Sequence, residues 1–131
     1  MSHIAWTDVL DIGLPQLDDQ HKKLITLSNS LIQAMAVGKG ADVLQLLFEE
    51  LKGYTAYHFE DEERYMEQIG YPDLDEHKAL HIELINQVDE FRKKLLGSGV
   101  SPDHALDFIN EWIIKHIMDE DVEIGKFART Q

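Results

Sequence analysis

Along this chain apolar side chains return at steps of three and four rather than two. Leu17, Leu24, Leu31 and Met35 share one stripe over roughly residues 17–36, with His21 and Ser28 at the stripe positions between them. This is the spacing of one buried helix face. A second stripe over roughly 42–68 runs through Leu44, Leu47, Leu51 and Tyr54, then continues into His58, Glu62 and Tyr65. Polar groups there occupy positions expected to face a core. The third, roughly 73–96, reads Leu74, His77, His81, Leu84, Val88, Phe91, Leu95 in strict alternation of three and four, the rhythm of antiparallel bundle helices. The fourth, roughly 102–126, follows Ser101 as N-cap and Pro102 at the first helical position, where the missing N–H costs nothing. Its predicted buried side is Ala105, Ile109, Trp112, Ile113, His116, Ile117 and Ile124.

Gly13 with Pro15, Gly38-Lys39-Gly40, Gly70-Tyr71-Pro72 and Gly97-Ser98-Gly99 separate these segments. There is no β-type alternation and no internal repeat. The pattern predicts an all-α fold: a single domain over 1–131, an up-down-up-down antiparallel four-helix bundle with helices of about 30 Å. Residues 1–16 are expected to form an arm outside it.

Composition then narrows the chemistry. None of the 131 residues is cysteine, so any metal must be held by nitrogen and oxygen. A net charge of -13 makes nucleic acid and anionic membranes poor partners. The first residues, Met1 to Asp8, lack the basic start and apolar run of a secretory signal, and no later run approaches the ~20 apolar residues of a membrane span. The expectation is a cytoplasmic monomer.

Seven histidines are the unusual feature. His58 and Glu62 lie one helical turn apart on one face, as do His77 and His81, while His21 and His116 also face inward. One inward imidazole is ordinarily a satisfied core residue. Five of them, at least one on every helix and with a carboxylate among them, would cost about 1–3 kcal/mol each if left unpartnered, and a buried metal satisfies them best. His3 in the arm and His104 in the first turn of the fourth helix are expected to be solvated. Of the run Glu60-Asp61-Glu62-Glu63 the stripe selects Glu62. For Asp119-Glu120-Asp121 periodicity decides nothing: Asp119 and Glu120 are the natural one-turn partners of His116, and Asp121 faces the same point only from a neighbouring stripe or through a local π-bulge.

The motifs Leu17-Asp18-Asp19-Gln20-His21, His58-x-x-x-Glu62, His77-x-x-x-His81 and His116-x-x-x-x-Asp121 together resemble the hemerythrin family in its single-domain bacterial form. The resemblance extends over essentially the whole chain, including Trp6 and Gly70-Tyr71-Pro72. It implies that His77, His81 and His116 bind one iron, that His21 and His58 bind a second, and that Glu62 and Asp121 bridge the two. A zinc peptidase would carry Glu where this chain has Lys78.

On that ligand set, five imidazoles, two bridging carboxylates and an oxide or hydroxide bridge make one iron six-coordinate and the other five-coordinate. The open position beside His21 and His58 is where dioxygen would bind. A histidine-rich site provides less anionic shielding than the Glu-rich di-iron oxidases, which favours returning oxygen unchanged over cleaving it. Leu24, Phe59, Trp112, Ile113 and Ile117 lie within a turn of these histidines and would line an apolar oxygen pocket. The functional expectation is reversible dioxygen carriage, for storage, transport or delivery to an oxygen-consuming enzyme. The competing readings are a di-iron peroxidase or oxidase acting on peroxide or nitric oxide, and an oxygen or iron sensor.

Overall fold

The computed structural model describes residues 4, 6, 7, 10–97, 99 and 101–130. Four antiparallel helices form the bundle: α1 (Pro15–Ala36), α2 (Ala41–Ile69), α3 (Leu74–Leu96) and α4 (102–128). α4 is regular over Pro102–Ile109 and Val122–Ala128 but widens into π-helical turns over Asn110–Ile114 and Ile117–Asp121. There the Lys115 and Val122 N–H groups donate to carbonyls five residues back, at Asn110 and Ile117. Sequence features fix the helix ends. Ser101 accepts the His104 N–H at 3.1 Å, Pro15 and Pro102 stand in first turns where no N–H is needed, and Gly70 takes the left-handed conformation that stops α2. Among the described helices none is long and apolar enough to cross a membrane.

The N-terminal segment does not stay outside the bundle. Ile4, Leu10 and Ile12 are buried in the same core as the helices, and Trp6 packs half-buried against it. Such a segment can be buried only if its backbone polar groups are satisfied. The Asn29 side chain accepts the Ile4 N–H at 2.8 Å and donates to the Ile4 carbonyl at 2.7 Å. The Asp18 carboxylate takes the N–H groups of Ile12 and Leu14 at 2.9 and 3.1 Å. This bracing lets α1 begin at Pro15, ahead of Leu17, where the apolar stripe starts.

Gly125 of α4 lies where this segment crosses: a Cβ there would collide with the Ile12 carbonyl. Gly125→Ala should therefore destabilise the protein by about 1–3 kcal/mol through overpacking. Gly53, exposed within α2 with open space around it, is the control; Gly53→Ala should stabilise by about 0.5–1 kcal/mol from helix propensity. Urea midpoints that moved the same way for both would contradict this account of the crossing.

The bundle is apolar and aromatic towards one end and polar within towards the other. Phe91 stacks on Phe108 at 4.4 Å and near Phe48 at 6.3 Å. Trp112 donates its indole N–H to the Leu84 carbonyl at 2.9 Å. Towards the start of α2, Phe48 and Leu51 are fully buried, whereas Leu44 and Leu47 of the predicted stripe are half-buried.

Candidate metal centre

All seven sequence-selected residues meet in one buried cluster, contributed by all four helices. Glu62 lies at its centre, with one carboxylate oxygen facing each way. Oε1 lies 3.1 Å from His77 Nε2 and 3.0 Å from His81 Nε2; Oε2 lies 3.5 Å from His21 Nε2 and 3.4 Å from His58 Nε2. Asp121 divides its oxygens the same way: Oδ1 is 3.0 Å from both His77 and His116, and Oδ2 is 3.1 Å from His21. The cluster thus resolves into two ligand groups, His77, His81 and His116 on one side and His21 and His58 on the other, each sharing Glu62 and Asp121.

Asp121 reaches this point because α4 is widened. Hydrogen bonds that skip back by five take about one more residue into each turn than an α-helix does, which brings Asp121 round towards the face of His116. Asp119 stays exposed and Glu120 half-exposed.

The donor set fits a cation. His58 Nε2, His116 Nε2, His21 Nε2, Glu62 Oε2 and both oxygens of Asp121 are buried and converge without hydrogen-bond partners. Buried polar atoms are rarely left so, and metal ions are what such a mixture of imidazole nitrogen and carboxylate oxygen binds. Residues 13–128 match the family described as the Hemerythrin HHE cation binding domain. The chain belongs to the hemerythrin family. It is 33% identical over 121 residues to a bacteriohemerythrin of Pseudomonas aeruginosa, covering 92% of this chain and 78% of that one. To the bacteriohemerythrin of Clostridium acetobutylicum it is 32% identical, covering 91% and 96%. The crystal structure of a wild-type hemerythrin superposes with a TM-score of 0.83 at 28% identity, over 95% of this chain and 97% of that one.

Outside the hemerythrin cluster a second layer of residues holds the rings. His81 Nδ1 lies 2.6 Å from Glu63 Oε2, and His58 Nδ1 lies 2.6 Å from Gln20 Oε1. Gln20 in turn donates to Asp61 at 2.7 Å. Phe59 lies parallel to His81 at 3.9 Å and fixes that ring's plane. Sequence periodicity treats Asp61 and Glu63 as solvated outer positions. Both are half-buried beside Glu62, and the signal for them was their adjacency to a ligand position on the same helix. Asp18 and Gln20 belong to the recognised motif, yet Asp18 braces the N-terminal segment and only Gln20 reaches the cluster.

The remaining expectations fall as follows. Leu24, Phe59, Trp112, Ile113 and Ile117 are all buried in the common core. Phe59 lies against His81 and also within 5.8 Å of His58 and 6.1 Å of His116. His104 is exposed, and His3 lies outside the described residues. Tyr71 packs half-buried between His77 and Phe127.

The electrostatics of the metal-free cluster follow from the same geometry. Burial opposes a charge on His21, but the carboxylates of Asp121 and Glu62 outweigh it and raise its pKa to about 9. The same balance raises His77 to about 10, and raises His116. Burial likewise opposes the charges on Glu62 and Asp121, yet the surrounding histidines hold both well below the usual carboxylate range.

Proposed function

We propose that this protein binds dioxygen reversibly at a non-haem di-iron centre, for storage, transport or delivery to oxygen-requiring enzymes. In this reading His77, His81 and His116 would hold one iron and His21 and His58 the other, with Glu62 and Asp121 shared by both. The supporting observation is the division of five histidines, three against two, about two carboxylates that each turn one oxygen to either side. Such a division leaves the two-histidine side one donor short. When bound, the iron pair supplies the electrons and the open position by which dioxygen is held.

The chain's own residues favour retention over turnover. Leu24, Phe59, Trp112, Ile113 and Ile117 form a dry apolar surround that excludes water. Among the described residues, the other buried polar side chains are engaged elsewhere. Ser28 and Thr55 donate to carbonyls of their own helices, Asp18 braces the N-terminal segment, and Gln20 is tied between His58 and Asp61. None is placed to pass a proton to a bound ligand, as a peroxidase would need.

The test is spectroscopic. The iron-loaded protein is reduced, exposed to oxygen and cycled under vacuum. A visible absorption band should appear with oxygen and vanish on its removal over repeated cycles. A single conversion to a form that no longer responds to vacuum would reject carriage in favour of a di-iron oxidase or peroxidase.

A further inference from the structure

We propose that Gln20 is a positioning residue that fixes His58 as a neutral Nε2 donor and keeps the two-histidine metal position electronically distinct from the three-histidine one. This rests on reading the cluster as a two-metal site, and it is tested without oxygen.

Hydrogen-bond logic determines the orientation of each group. Asp61 offers only acceptors, so the Gln20 group facing it at 2.7 Å is the amide NH2. The Gln20 carbonyl oxygen therefore faces His58 Nδ1 at 2.6 Å, and Nδ1 must carry the proton. With Nδ1 so engaged, Nε2 is the nitrogen left to face the cluster and to bind a metal. Asp61 is itself held by Gln16 at 2.8 Å and by Arg64 at 3.2 Å, so the amide cannot turn over without losing its anchor. Gln20 is 6% exposed and spans from α1 to α2, and the chain Asp61–Gln20–His58 links sites 38 and 41 residues apart in sequence.

The other side of the centre is built differently. His81 Nδ1 meets the Glu63 carboxylate directly, at 2.6 Å. An imidazole that donates to a carboxylate becomes a stronger donor than one that donates to an amide, and outer partners of this kind set both affinity and potential. His21, the other histidine on the Gln20 side, has no hydrogen-bond partner at Nδ1 among the described residues. The three-histidine position is thus the more electron-rich in donor number and in outer partner. The two-histidine position, with its missing donor, has no carboxylate at Nδ1 of either imidazole among the described residues. Gln20 in place of a carboxylate creates that difference.

The probe is zinc alone, titrated into the full chain against a competing chelator, with 15N NMR of the ring nitrogens. The wild-type chain should bind two zinc ions and show a solvent-protected Nδ1–H signal from His58. Gln20→Leu should remove that signal and weaken one zinc equivalent by about 10- to 100-fold, leaving the other unchanged. Gln20→Glu combined with Asp61→Asn, so that the new carboxylate faces an amide N–H instead of the acceptor-only Asp61, should restore the affinity, move the His58 Nδ1–H signal further downfield, and lower the reduction potential of the iron-loaded form. Asp61→Ala, which keeps Gln20 but removes the acceptor that anchors it, should give a smaller change of the same sign and carries the test should Gln20→Leu fail to fold. Equal weakening of both zinc equivalents, or an unchanged His58 signal in Gln20→Leu, would overturn the assignment. A wild-type chain that binds only one zinc overturns both this assignment and the two-metal reading. If the zinc results hold while oxygen fails to cycle, the proposed function falls and the role of Gln20 stands.

Discussion

Glu62→Ala should abolish binding of both metals at once, whereas His81→Leu should remove only one. The contrast follows from how the two side chains are shared. His81 faces one ligand group, while Glu62 gives one oxygen to each and approaches four of the five histidines. Loss of a shared anionic donor exceeds the about 10- to 100-fold effect typical of an outer partner, because donor and charge disappear from both positions together. Elemental analysis of the purified variants against chain concentration gives the readout, with far-UV circular dichroism to confirm the helices. The metal-free Glu62→Ala chain should still fold, since histidines deprived of their counter-charge shed protons rather than remain charged and buried. Two metals retained by Glu62→Ala would disprove the shared role.

The metal-free protein should lose several kcal/mol of stability as pH rises from about 6.5 to about 10, and the metal-loaded protein should not. The sign follows from the histidines. His21 and His77 have folded pKa values raised to about 9 and about 10, above the unfolded value of 6.5. The folded state therefore binds protons that the unfolded chain releases. Their contribution is complete below pH 6.5 and is lost as pH climbs through the folded values. Glu62 and Asp121 act in the opposite sense, because their pKa values are depressed. Their contribution is present above the ordinary values of 4.5 and 3.8 and disappears as pH falls towards the lowered folded values. The metal-free stability optimum therefore lies between about pH 4.5 and about pH 6.5. Metal ions displace these protons, so affinity should rise over the same alkaline interval in which metal-free stability falls. Urea midpoints at a series of pH values, with and without metal, should diverge as pH increases. Parallel curves would show that the clustered histidines are not charged in the metal-free fold.

Much of the bundle is legible in periodicity because a helix face repeats every three to four residues whatever it packs against. His58 and Glu62, or His77 and His81, can be placed together from spacing alone, each pair being one turn of a single helix. Phe48 is less legible, since local stripes do not say which of two adjacent faces a neighbouring helix will cover. The N-terminal segment is less legible still: burial of Ile4 and Ile12 depends on Asn29 and Asp18 satisfying its backbone, and on Gly125 leaving room.

The inward set of five histidines and Glu62, and the absence of thiol ligands, were determined by the sequence by itself. Burying that many polar groups requires a partner, and only nitrogen and oxygen were available to bind one. Periodicity left Asp119, Glu120 and Asp121 open and the family resemblance pointed to Asp121; the tertiary structure supplies the reason it turns inward, a widened turn that no side-chain period encodes. It also decided which carboxylate oxygen faces which histidines, and that Gln20 and Glu63 brace opposite sides. These are relations between atoms on different helices, set by how the helices rotate and approach, and a one-dimensional pattern carries no information about that rotation until the chain has packed.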